Sequence, residues 1–238
     1  MPNKPFANGT WFFILLLIFT GAWFTYEITS IDLQIQDKLY NTVSCQWMIH
    51  RDAYLPKAIF YNGIKWVLAA FGIGALVVFI ISYFKKNLLK HRYNALYFFL
   101  CMALIPLTIS SLKAVTNVYC PWDLERYGGK APYVKVYDSY PSSFIQDERK
   151  PQCFPGGHAS GGFALFALFF MASTRRQRLL SLTPPMFIGS LMGGYQMLKG
   201  AHFLGHNITT MFMSFLMAQG MYILLQKIVE KCQKKTPN

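Results

Sequence analysis

Six stretches of the chain are apolar and almost free of charge, at about 10–27, 60–84, 94–112, 158–174, 179–198 and 207–226. Roughly 20 apolar residues carry an α-helix across a hydrocarbon core of about 30 Å, so the pattern predicts six membrane-spanning helices. The fourth stretch is short and starts at glycines, and the fifth holds Pro184-Pro185 and Gly193-Gly194, so both also fit buried helices of a bundle. Between the first two, Ile31, Leu33, Ile35 and Leu39 mix with Asp32, Asp37 and Lys38, which fits a short helix lying on the outer membrane face. Trp47, Tyr54 and Tyr61 beside it suit the headgroup layer. The expected fold class is an all-α integral membrane protein, a six-transmembrane-helix bundle with outer-face loops and one short interfacial helix. Residues 1–238 form a single membrane domain with no internal repeat and no soluble second domain.

Composition agrees: of 238 residues 53% are hydrophobic and only 14% charged. The net charge of +13 is a topology signal, because cytoplasmic loops retain Lys and Arg. Lys4, then Lys85, Lys86, Lys90 and Arg92, then Arg175, Arg176 and Arg178, then Lys227, Lys231, Lys234 and Lys235 fall on one side with Glu230 as the sole acid. Nine of the ten acidic residues, Glu27 through Glu148, fall on the other. Both termini are therefore expected inside, in contact with anionic headgroups rather than with nucleic acid. The first stretch reads as an uncleaved anchor, since no small-x-small cleavage site follows it.

The chemistry-bearing residues gather at the outer ends of these helices. Only five histidines occur, and His158, His202 and His206 all lie at one predicted depth, the outer ends of stretches four, five and six. Ionisable groups at such depth are costly unless they serve a site, and histidine suits acid, base or nucleophilic work near neutral pH. In CFPGGHASGG (153–162), Gly156 and Gly157 precede a helix start whose unpaired backbone N–H groups attract anions, which would place His158 beside a bound phosphate. Gly161 and Gly162 read instead as close helix packing. The long segment from Lys113 to about Gly157, with CPWDLERYGG inside it, is the main extramembrane loop and a place where function gathers.

In order and spacing these residues resemble the type 2 phosphatidic acid phosphatases, six-span enzymes with the signatures K-x6-R-P, P-S-G-H and S-R-x5-H-x3-D. Lys113 to Pro121 resembles the first, Pro155-Gly156-Gly157-His158 the second, and Tyr195-Gln196 through His202 to His206 the third. The likeness covers about 60–226, the expected catalytic core, and looks most like the bacterial lipid A phosphatase branch. It departs at Cys120 for arginine, Gly156 for serine, Tyr195-Gln196 for Ser-Arg, and His206 for aspartate. The resemblance implies that His202 attacks phosphorus and His158 protonates the leaving oxygen, with Lys113 and the glycines binding phosphate and no cofactor or metal required. His206, one helical turn after His202, would take part of the aspartate's role by accepting a hydrogen bond. Asp123 is a candidate for the missing acid, and Arg126 and Lys199 are candidates for the missing phosphate ligand. Cys45, Cys120 and Cys153 lie outside, where two of them can pair; a Cys120–Cys153 bridge would hold the first two motifs together.

The implied activity is removal or transfer of phosphate from a phosphorylated membrane lipid, such as lipid A, undecaprenyl pyrophosphate or phosphatidylglycerol phosphate, at the periplasmic face of a bacterial inner membrane. Two other readings stay open: a non-catalytic lipid-binding or regulatory descendant, and a metal site built from His158, His202 and His206.

Overall fold

The computed structural model describes residues 9–146 and 150–235; Lys4 and Glu148 lie outside them. All six apolar stretches are helical. α1 (Gly9–Ile28) is followed by α2 (Ile31–Asp37) and a two-stranded hairpin, β1 (Tyr40–Asn41) and β2 (Gln46–Trp47). α3 (Tyr54–Pro56) runs through a π-helical stretch (Lys57–Gly63) into α4 (Ile64–Ile81), and α5 (Arg92–Thr116) returns. α6 (Gly157–Phe163) and α7 (Ala167–Met171) are joined by a 3-10 turn and followed by α8 (Arg175–Ser181), α9 (Thr183–Leu198) and α10 (Leu204–Lys235). Among the described residues three helices, Tyr54–Ile81, Lys86–Asp123 and Leu204–Cys232, are long and apolar enough to cross a membrane, while the helical run Gly157–Met171 is shorter.

Burial separates the helices by role. α4 turns Trp66, Val67, Phe71 and Ile73 outward, each more than half exposed, as a lipid-facing helix does. α5, α6 and α10 bury the main core: Tyr97, Ile105, Ile109, Phe163, Phe166 and Tyr222 pack together, and the Tyr97 hydroxyl donates to the Ala218 carbonyl at 2.8 Å. α6 crosses α9 where Gly162 meets Gly189; a Cβ on Gly162 would stand 2.6 Å from the Gly189 nitrogen, so the expected packing role of that glycine holds. Pro184 and Pro185 sit in the first turn of α9, where a missing N–H costs nothing.

Two expectations for the outer segment change. α2 is a helix, but it docks on the protein: Gln36 is fully buried and donates to the Met197 carbonyl at 2.9 Å, and Asp32, one turn earlier, accepts from the Gly205 N–H at 2.8 Å. These two polar side chains, four apart, share the face aimed at the α9–α10 turn, which a helix resting on lipid would not need. Trp47 stacks with Tyr40 and Tyr127 at 4.8 and 5.0 Å beneath the loop between α5 and α6, while Tyr54 remains 84% exposed.

Candidate active site

The segment before α6 is clamped between the end of α5 and the start of α10. Cys153 N–H donates to the Val118 carbonyl at 2.9 Å, and the Thr116 hydroxyl donates to the Phe154 carbonyl. Gly156 N–H donates to His206 O at 3.3 Å, and the Thr210 hydroxyl donates to Gly156 O at 3.2 Å. Cys120 and Cys153 form a disulfide with Cα atoms 5.1 Å apart. These ties deliver His158 to the first turn of α6 beside Lys113, which ends α5.

The glycines now have separate reasons. A Cβ on Gly156 would stand 2.8 Å from Asn207 Oδ1 and 3.3 Å from the His206 carbonyl oxygen, so a serine needs the Asn207 side chain to shift. A Cβ on Gly157 would meet Lys113 at its Cδ (3.2 Å) and Nζ (3.5 Å), so the ammonium lies over bare backbone at a helix start. A cation held over a helix start is suited to phosphate.

The three histidines meet as a chain of rings. His158 lies 5.8 Å from His202 between centroids, and His202 lies 5.8 Å from His206. His202 sits in the turn between α9 and α10, 2% exposed, and its Nε2 has no hydrogen-bond partner. Burial pushes its imidazole well below the ordinary pKa, and Lys113 and His206 push the same way, which favours the neutral ring. Its Nδ1 faces Cys153 Sγ at 3.5 Å. The His206 ring is wedged edge-on against Phe154 and Phe203 and its Nδ1 is unpartnered, while the disulfide sulfur faces His202 Nδ1.

The other candidates separate. Lys199 ends α9 and is 7% exposed, with its Nζ 5.7 Å from the Tyr61 ring, which itself stacks on His158 at 4.6 Å. Asp123 accepts from the Cys120 N–H at 3.3 Å and closes a local turn. Arg126 is a correction: its guanidinium grips the Asp37 carboxylate through two 2.7 Å bonds, with the Tyr127 hydroxyl adding a third at 2.9 Å. That pair pulls the Asp37 carboxyl below its usual range and leaves Arg126 committed to tying α2 to the loop. The ligand atoms of Cys153, His202 and His206 lie within 4.8 Å of one another, but the disulfide occupies the Cys153 sulfur.

A cavity of about 460 Å³ reaches His158 but is not lined by His202 or His206. Lys65, Ser110, Lys113 and His158 line it at the polar end, and Leu68, Ile73, Phe99, Met102 and Pro106 of α4 and α5 continue it as an apolar groove. Sequence reasoning missed Lys65, although a lysine inside an apolar run is itself a signal. It also missed Ser110, one turn before Lys113, and Asp32, which caps the start of α10 and borders a small void with His206.

No curated protein and no solved structure matches the chain. The family model described as PAP2 superfamily matches residues 94–230, more than half of the chain. That span contains Lys113, the disulfide, the glycine pair and all three histidines, and with it the chain belongs to the PAP2 superfamily.

Proposed function

We propose that the protein is a metal-independent membrane lipid phosphatase or phosphotransferase, with six membrane crossings, cytoplasmic termini and its site on the periplasmic side of a bacterial inner membrane. Family membership supports phosphatase-type activity on phosphorylated substrates. The observation that carries the lipid reading is the cavity: it is lined by Lys113 and His158 together with apolar residues of α4 and α5.

In this reading the phosphate sits on Lys113 and the backbone at Gly157, the Gly156 N–H being engaged with the His206 carbonyl, with Lys199 adding positive charge from beyond Tyr61. His202 Nε2 forms a bond to phosphorus as the ester P–O bond breaks, and His158 gives its proton to the departing lipid oxygen. Water then attacks the phosphohistidine, His158 takes the water's proton, and the N–P bond breaks to release phosphate. A second lipid hydroxyl in place of water gives transfer. Lipid A, undecaprenyl pyrophosphate and phosphatidylglycerol phosphate are the candidate substrates. The disulfide sulfur, a weak acceptor without charge, holds the nucleophile's ring in the place of the family's carboxylate, so slower turnover than a carboxylate-assisted site is expected.

The test is phosphate release from a small panel of phosphorylated lipids by the purified protein, with His202→Ala and His158→Ala variants of wild-type fold alongside. Loss of release in both supports the reading; full turnover by His202→Ala defeats it. Turnover that disappears with a chelator would favour the metal reading instead.

A further inference from the structure

Beyond Tyr61, Lys199 belongs to a second group of donors that does not line the cavity of Lys113 and His158. Lys199 is 7% exposed and makes no hydrogen bond or ion pair among the described residues. Its ammonium stands 5.1, 5.7 and 5.8 Å from the rings of Tyr195, Tyr61 and Trp122. The Tyr195 hydroxyl is buried and has no partner either. The Arg51 guanidinium stacks over the same Trp122 ring at 4.1 Å. Burial lowers the Lys199 pKa, with Lys57 and Arg51 repelling it and Asp52 as the opposing charge.

An ammonium this enclosed is expensive unless something anionic joins it, because aromatic faces replace only part of its lost hydration. The donors are of two kinds, charged nitrogens and a neutral hydroxyl, which is the set that meets the oxygens of a phosphate. The location is adjacent to the reacting phosphate: His158 and Lys199 flank one ring, Tyr61, and both Lys113 and Lys199 lie close enough to His158 to act on it electrostatically.

We propose that Lys199, Tyr195 and Arg51 form a second phosphate subsite, which selects lipids carrying two phosphates over their monophosphate counterparts. The proposal rests on the lipid phosphatase reading and sharpens its substrate class. The second phosphate comes either from a diphosphate or from a separate phosphate on a sugar headgroup. Tyr195 stands where the family pattern has serine and Lys199 follows the position of its lost arginine by three residues, so the departures of the third motif are where this selectivity resides.

Two measurements test it. In the first, kcat/KM is compared for farnesyl diphosphate against farnesyl phosphate, and for a lipid A-type disaccharide bisphosphate against its monophosphate. Wild type is expected to favour the doubly phosphorylated member of at least one pair. Arg51→Ala, a surface change that spares folding, and Tyr195→Phe should each reduce that preference by about tenfold, the effect of one charge-assisted contact, with the monophosphate rate held within about twofold. The pair that responds identifies the source of the second phosphate. Equal losses on both members of each pair overturn the proposal.

The second measurement is independent of turnover: binding of inorganic pyrophosphate and of orthophosphate to the His202→Ala protein. Tighter pyrophosphate binding that Arg51→Ala weakens supports the subsite even if no lipid is hydrolysed. Pyrophosphate binding no tighter than orthophosphate, or unchanged by Arg51→Ala and Tyr195→Phe, overturns it. Absence of turnover on every lipid by wild type, with pyrophosphate binding intact, defeats the phosphatase reading alone.

Discussion

Removing the Cys120–Cys153 bridge is the perturbation whose size follows most directly from the structure. The two cysteines are 33 residues apart in sequence, and closing a loop of that length removes unfolded-state entropy worth about 3.7 kcal/mol at 25 °C in the chain-entropy model. A domain of this size shifts by roughly 2–4 °C per kcal/mol, so the Cys120→Ser/Cys153→Ser protein should melt about 7–15 °C lower in detergent. The effect on chemistry should exceed the effect on fold. The bridge fixes the segment that carries Gly156, Gly157 and His158, and its sulfur lies 3.5 Å from His202 Nδ1. Misplacement of a reacting group by about 1 Å costs on the order of a hundredfold, so kcat/KM should fall by about 10- to 100-fold at temperatures where the variant is fully folded. The assays are thermal unfolding followed by intrinsic fluorescence, phosphate release at low temperature, and non-reducing peptide mass spectrometry of wild type. Free thiols at both positions in wild type, or a double variant with unchanged melting and turnover, would refute the reasoning.

Three further outcomes are expected. His206→Asp, which restores the family's residue type, should lower kcat/KM, because the ring is wedged between Phe154 and Phe203 and a carboxylate there is buried without reaching His202; a rise in rate would show that the position still serves the nucleophile. Gly162→Ala should cost about 1–3 kcal/mol by overpacking the α6–α9 crossing, whereas Gly161→Ala, whose Cβ meets only Leu68 at 3.4 Å, should melt within a degree or two of wild type. Burial raises the Asp32 carboxyl to about 6, against 3.8 ordinarily, so the folded state holds this proton more tightly than the unfolded chain. Its stabilising contribution is full at low pH and is lost as pH rises through about 6; Asp32→Asn, which can still accept from the Gly205 N–H, should flatten the melting temperature between about pH 4 and 7, and an unchanged slope would contradict the assignment.

What the sequence made legible was what is local. The apolar runs located the helices because hydrophobic patterning is written residue by residue, and the shared depth of His158, His202 and His206 followed from their places at helix ends. The role of Gly162 was readable from the general need for small residues where helices cross. The partners of the loop residues were not readable, because they are set by contacts far apart in sequence: Arg126 meets Asp37 from 89 residues away, and Asp32 reaches the start of α10 from 173. The loss of serine at Gly156 looked like a weakened phosphate grip, and the close approach of Asn207 supplies its steric cause. The i,i+4 spacing of His202 and His206 promised one helical face, whereas His202 lies in the turn before α10 rather than on that helix.

The central claim is that His202 forms a bond to phosphorus. Wild-type protein mixed with a phosphorylated lipid, quenched in alkali within milliseconds and digested, should yield phosphate on the nitrogen of His202, acid-labile and absent from the His202→Ala variant. Phosphate found on another residue, or steady turnover with an unmodified His202 at every quench time, would contradict the account.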